Sequence, residues 1–238
     1  MPCIHYLPLF AREYCCQIHL DLYTSPAANG LATQAAAGRH LRLLAEEENA
    51  IQVQLCEDDY IAWLPRPQLD QLLPARQAYQ PQYIQRAEIV ARLPHVIAFM
   101  RAAMQVPHQY RWGGTVAPDY DCSGLMQAAF AAAGIWLPRD SYQQADFLAP
   151  IGFDALQSGD LIFFRETHRI NHVALYLGDG KYIHSSGQEK GRNGIGIDAI
   201  APDDDAEDSQ IGRRYAPYLC QAGRVMQSYV SPRYTAAD

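Results

Sequence analysis

A chain of 238 residues has room for one large domain or two modest ones. Its composition, 49% hydrophobic and 19% charged, supplies a core and excludes a disordered chain, and 26 acidic against 19 basic residues (net −7) argue against a binder of nucleic-acid backbones. No apolar run approaches the roughly 20 residues of a membrane span, and Met1-Pro2-Cys3-Ile4-His5 lacks the basic and apolar stretches of a secretory signal, so the expectation is a soluble, cytoplasmic protein.

Up to about residue 65 the chain reads as short strands, at 14–20, 39–44 and 50–55, separated by Ser25-Pro26, Asn29-Gly30 and Gly38. Asp58-Asp59 forms a turn into a final strand through Trp63, and such strands close into a small barrel. Pro65, Pro67, Pro74 and Pro81 then prevent a helix or central strand and predict an extended connector, giving a first domain over 1–80 and a second over 81–238. Helical periodicity runs over 82–105 with Ile84, Ala87, Val90 and Ala91 along one side, and Pro94 is expected to divide it in two. After an Arg111-Trp112-Gly113-Gly114 turn, Asp121-Cys122-Ser123-Gly124 leads into a strong helix that stops at Gly134. A short helix is expected from Asp140-Ser141. Strands follow at 160–164, 172–177 and 181–185, the last two joined by Gly178-Asp179-Gly180, and the acidic run 203–208 reads as a solvated loop. Helices followed by an antiparallel sheet make this half α+β.

The six cysteines show neither the regular spacing of a secreted disulfide framework nor a metal-binding C-x-x-C pair, and no metal site is expected. Cys3, Cys15, Cys16, Cys56 and Cys220 read as small buried hydrophobes, Cys15 and Cys16 facing opposite ways from one strand. Cys122 differs. It precedes a helix, whose free N–H groups and positive end favour a thiolate and lower the thiol pKa.

A nucleophilic cysteine needs a histidine base held by a third group. The candidates are His95, His108, His168, His172 and His184. A three-residue loop at 178–180 would set His184 opposite Ala174, so that it shares a face with His172 as a diagonal neighbour. A two-residue loop would put them on opposite faces, but the longer loop offers Gly for a left-handed bulge position. His172 is then the base and His184 the group that orients it. Asn171, adjacent to His172 on the strand, points to the other face.

Tyr110-Arg111-Trp112-Gly113-Gly114, Asp121-Cys122-Ser123-Gly124-Leu125, Leu137-Pro138-Arg139-Asp140-Ser141, Ser158-Gly159-Asp160-Leu161, Asn171-His172-Val173-Ala174 and Tyr182-Ile183-His184-Ser185 follow one another in an order and spacing that resembles the NlpC family, over about residues 95–200. These are papain-like bacterial cysteine peptidases that cut peptidoglycan stem peptides. The preceding segment is similar to bacterial SH3-like barrels. The resemblance implies Cys122 as nucleophile, His172 as base and His184 as the third polar residue, and no metal or organic cofactor. Barrel-plus-peptidase proteins of this type look like γ-D-glutamyl-L-diamino acid endopeptidases acting on peptides with a free N-terminal L-Ala. By motif match, Tyr60 from the barrel and Trp112, Asp121, Ser123 and Ser141 would line the site for L-Ala-γ-D-Glu, with the Asp121 carboxylate meeting the substrate ammonium. Asp58 and Asp59 offer further carboxylates, but a turn role is the expectation for them. The Cys122 backbone N–H and the Tyr110 hydroxyl would hold the oxyanion. Without an export signal, murein-peptide recycling is the expected setting. Another papain-like amidase or acyltransferase, and a non-catalytic wall-binding module, are the alternatives.

Overall fold

The computed structural model describes residues 13–201 and 210–235, so Cys3, the first five residues and the acidic run 203–208 lie outside the described residues. The chain divides into two compact units, Met1–Pro81 with Ser231–Asp238, and Gln82–Val230. Residues 231–235 thus return to the first unit, where Arg42 donates to the Tyr234 hydroxyl at 2.7 Å and Arg233 to Gln54 at 3.0 Å.

Among the described residues the first unit is a curled antiparallel sheet of seven strands: β1 (Glu13–Cys16), β2 (Leu20–Tyr23), β3 (Leu31–Ala35), β4 (His40–Glu46), β5 (Ala50–Leu55), β6 (Ile61–Pro65) and β7 (Leu72–Pro74), in the order β3-β2-β6-β5-β4-β1-β7. Alternate residues of these strands fill one core that includes Leu22, Leu41, Val53, Leu55 and Leu64. The strand expected over 14–20 is two strands broken at residues 17–19, and β3 and β7 are additional. The proline-dotted stretch is only half a connector. Pro67 sits in the first turn of a 3₁₀ helix, Arg66–Gln71, where its missing N–H costs nothing, and Pro74 lies on an edge strand.

The second unit opens with α1 (Arg86–Gln105), one continuous 20-residue helix rather than two. Pro94 is on the exposed side, where water can serve the carbonyl it leaves unbonded, and the buried line is Ile89, Leu93, Val96 and Met100, with Val90 exposed. A small hairpin, β8 (Thr115–Val116) and β9 (Asp119–Tyr120), delivers the chain to α2 (Cys122–Ala132); α3 (Ser141–Phe147) follows. The sheet comprises β10 (Ala149–Ile151), β11 (Leu161–Phe164), β12 (His172–Gly178), β13 (Lys181–Ser186), β14 (Gly194–Ala199) and β15 (Leu219–Arg224), with α4 (Gln210–Tyr215) before the last. It is antiparallel in the order β10-β15-β11-β12-β13-β14. β10, β14 and β15 went unpredicted. α2 is buried on nearly every side and packs Met126, Ala129 and Phe130 into the core shared with Phe163, Val173 and Ile183, each large side chain contributing about 1.5–3 kcal/mol. No described helix is long and apolar enough to cross a membrane.

Candidate active site

Cys122 is the first residue of α2, and Asp121 is its N-cap. The helix start lies so close to the 111–114 turn that a Cβ on Gly124 would come within 2.0 Å of the Gly114 carbonyl, so the position after Ser123 must be glycine. Asp121 accepts from Gly124 N–H at 2.6 Å, Gly113 N–H at 2.8 Å, the Ser123 hydroxyl at 3.3 Å and both Nη atoms of buried Arg139, at 3.2 and 2.6 Å. Five protein donors face the roughly four lone-pair positions of a carboxylate. Asp121 therefore braces the nucleophile turn. Ser123 belongs to the same cluster, accepting from Arg139 at 2.9 Å.

Enclosure works against the expected lowering of the thiol pKa. Burial pushes the Cys122 thiol up to about 12 and the Asp121 charge adds to this, while N–H groups of Ser123 and Val173 pull the other way and lose. Val173 adjoins His172, so the thiol sits at the start of β12.

The β12–β13 hairpin reaches the predicted facing by another route. Its loop has two residues, Asp179 and Gly180, both with left-handed φ, and Gly178 pairs with Lys181. A bulge at Leu177 then restores the register, Tyr176 opposite Tyr182 and Leu175 opposite Ile183, which carries His184 beside Ala174. His172 Nε2 lies 2.7 Å from His184 Nδ1.

The chain of contacts continues to groups the sequence reading missed. His184 Nε2 is 2.8 Å from Asp198 Oδ2, and Arg192 Nη2 donates to Asp198 Oδ1 at 3.1 Å, with Nη1 on Oδ2. Tyr182 pairs with Asp198, so Asp198 shares the face of His184 one step along β14. Gly196, opposite His184, leaves the space that the Arg192 guanidinium fills. A carboxylate oxygen at 2.8 Å requires a proton between it and Nε2. His184 is then protonated on Nε2 and accepts at Nδ1 from His172 Nε2–H, leaving His172 Nδ1 unprotonated as the base. Asp198 thus sets the tautomer of both rings. Its carboxyl, although burial opposes this, is held below the usual range by the donors His184 and Arg192.

Burial holds both imidazoles below the ordinary histidine value, His172 well below it with help from His184 and Lys190, and His184 despite the opposing pull of Asp198. Folded pKa values below the unfolded value of about 6.5 mean that the unfolded chain binds more protons in that window. This share of stability is complete above about pH 6.5 and is lost as pH falls, by up to about 2.7 kcal/mol per pH unit for two groups. Urea unfolding across that range should show the slope, and H172Q should halve it.

A cavity of about 290 Å³ beside His172 is lined by Tyr110, Trp112, Glu166, Asn171, Lys190 and Tyr215 among others. Trp112 is 71% exposed. Asn171 accepts from Glu166 N–H at 3.0 Å instead of meeting His172. Burial, and next the Cys122 and Asp121 charges, push the Tyr110 hydroxyl far up, so it stays a donor near the thiol. Ser141 is the buried first residue of α3, capped by Asp140 with Gln143 in a capping box. Tyr60 packs half-buried against the core of the first unit, and Asp58 and Asp59 are turn residues there, Asp58 paired with Arg39 at 2.8 Å. Cys15, Cys16, Cys56 and Cys220 are free thiols, and among the described residues no His, Cys, Asp and Glu cluster could hold a metal.

A cysteine at a helix start, packed on an antiparallel sheet that supplies its histidine, is the arrangement of papain-like thiol hydrolases. Residues 107–208 match the NlpC/P60 family and residues 22–69 the bacterial dipeptidyl-peptidase Sh3 domain. The chain is 40% identical over 84 residues to a γ-D-glutamyl-L-lysine dipeptidyl-peptidase of Bacillus cereus, covering 34% of this chain and 25% of that protein. It is 35% identical over 116 residues to probable endopeptidase p60 of Listeria monocytogenes, covering 49% and 21%. These matches span about a quarter of the length of the curated relatives. A crystal structure of an NlpC/P60 family protein from Bacillus cereus aligns with TM-score 0.47 at 24% identity, over 90% of this chain and 64% of that one. The match to the NlpC/P60 family thus follows the match to the bacterial dipeptidyl-peptidase Sh3 domain along the chain.

Proposed function

We propose that this protein is a cysteine endopeptidase that cuts the γ-D-glutamyl–diamino acid bond of peptidoglycan stem peptides bearing a free N-terminal L-Ala, in cytoplasmic murein-peptide recycling. The observation that carries the proposal is the His172–His184–Asp198 relay beside the Cys122 thiol. The name of the Bacillus cereus relative supports the bond, and the free thiols among the described cysteines fit a reducing compartment.

In this mechanism thiol and imidazole rest neutral. His172 Nδ1 takes the Cys122 proton as Sγ attacks the γ-carbonyl, avoiding a standing ion pair in a buried site. The Cys122 backbone N–H, which a helix's first turn leaves without an internal acceptor, and the Tyr110 hydroxyl receive the oxyanion. His172 then protonates the leaving amine, a thioester remains, and water activated at Nδ1 hydrolyses it. Trp112 and Ser141 are retained as contacts of the acyl side.

Mass spectrometry of L-Ala-γ-D-Glu-diaminopimelate incubated with the protein should show L-Ala-D-Glu and free diaminopimelate, while the N-acetylated peptide stays intact. An uncut free peptide refutes the bond, and equal turnover of the acetylated one refutes the need for the amine. Cell fractionation tests the compartment.

A further inference from the structure

Tyr215, the last residue of α4, belongs to none of the motifs discussed above, yet its ring lies against the imidazole of His172 with centroids 4.3 Å apart and planes 20° from parallel. We propose that Tyr215 is a positioning residue for the base, an aromatic plate that fixes the plane of the His172 ring and keeps water from that face. The proposal rests on His172 being the base.

The plate is itself held on several sides. The Tyr215 hydroxyl lies 2.9 Å from Ser186 Oγ, the His184 ring meets Tyr215 edge-on at 5.1 Å, and Phe164 packs against both Tyr215, at 5.3 Å, and His172, at 5.5 Å. Tyr215 is only 5% exposed. His172 is therefore gripped through Nε2 by His184 and across its face by Tyr215, which together leave Nδ1 one direction in which to act. An imidazole tied by one hydrogen bond can still swing about that bond; a stacked ring removes the swing. Offset stacking of this kind also contributes beyond the area it buries.

Tyr215 also shapes the electrostatics. The charged and titratable groups around His172 are His184 from β13, Glu189 and Lys190 from the turn after it, Glu166 from the β11–β12 connection, Cys122 from α2, Tyr110, and Tyr218 beyond α4. Lys190 Nζ stands 5.7 Å over the Tyr215 ring and is bound to Glu166 at 2.6 Å. Removing the plate admits water to His172 while leaving these charges in place, so the imidazole moves up toward its ordinary value and the Cys122 thiol down.

The test compares Y215F, which keeps the ring, with Y215L, which removes it, and S186A, which removes the hydroxyl's partner. On L-Ala-γ-D-Glu-diaminopimelate, Y215L should lose about 10- to 100-fold in kcat with KM little changed, the scale of a misplaced catalytic group. Y215F and S186A should stay within about fivefold of wild type, the worth of one neutral hydrogen bond. Independently of substrate, the pH profile of iodoacetamide alkylation at Cys122, read by peptide mass spectrometry, should move to lower pH in Y215L and stay put in Y215F. Equal losses in Y215F and Y215L, or an unmoved alkylation profile in folded Y215L, would overturn the proposal. If wild type cuts no stem peptide while the alkylation profile still moves, the plate stands and the substrate assignment falls.

Discussion

Replacing Cys122 by alanine should abolish cleavage of L-Ala-γ-D-Glu-diaminopimelate, with kcat falling by about 10⁴-fold or more, the scale seen when a covalent nucleophile is removed. C122S should fall nearly as far. Its hydroxyl is a weaker acid than the thiol, and a neutral imidazole whose pKa burial has lowered is a poor base for it. Because the side chain is small and Asp121, Gly124 and Arg139 hold the turn without it, both variants should fold and still bind peptide. Isothermal titration with intact peptide, alongside the turnover assay, separates binding from chemistry. Full activity in C122A would remove the mechanism altogether, whereas loss of binding with loss of turnover would make Cys122 a packing residue.

The resting state described here differs from the thiolate that a helix N-terminus suggests. Two effects compete at Cys122: N–H groups at the helix start favour the anion, and burial beside the Asp121 carboxylate disfavours it. Burial is the largest of these effects, and the neighbouring Asp121 charge adds to it. A motif can thus name the right residue while its local partners decide what that residue does.

Which parts of the site were legible in sequence follows from the range of the interactions that build it. Cys122 and the start of α2 are local: a cap, a small-residue turn and a helix-forming run in consecutive positions. The facing of His172 and His184 depends on the parity of a hairpin, and here two local features, a tight Asp179-Gly180 turn and a bulge at Leu177, cancel so that the expected facing survives a mistaken loop length. Asp198 was out of reach for a different reason. Its strand reads Gly194-Ile195-Gly196-Ile197-Asp198, and the glycines hide the period-two pattern in which Ile195 and Ile197 turn to the core and Asp198 to the relay. That alternation was the signal available. Tyr215 left none, since a six-residue helix carries no periodicity and its stacking partner lies 43 positions earlier. In the first unit, Pro67 and Pro74 were read as breaking structure, but a first helical turn and an edge strand are the two places that tolerate them.

The relay makes its strongest claim at Asp198. In D198N the amide can donate to His184 Nε2, which inverts the proton order: Nε2 becomes an acceptor, Nδ1–H donates to His172 Nε2, and His172 Nδ1 carries the proton it should receive. The cost of a wrong tautomer elsewhere in triad chemistry is about 10⁴-fold in kcat, and a loss on the order of 10²- to 10⁴-fold is expected here, with KM close to wild type because Asp198 is buried behind His184 and away from the cavity. Arg192 complicates the variant, since it loses its carboxylate partner and its Nη1 already lies 3.2 Å from His184 Nε2. Adding R192M to D198N removes that stray donor without restoring the carboxylate. If charge balance alone matters, the double variant recovers; if Asp198 acts by fixing the tautomer, it stays as slow as D198N. Proton NMR of the histidine ring N–H resonances would read the inversion directly, and an unchanged tautomer with wild-type kcat in D198N would reduce the carboxylate to a bystander of the sheet.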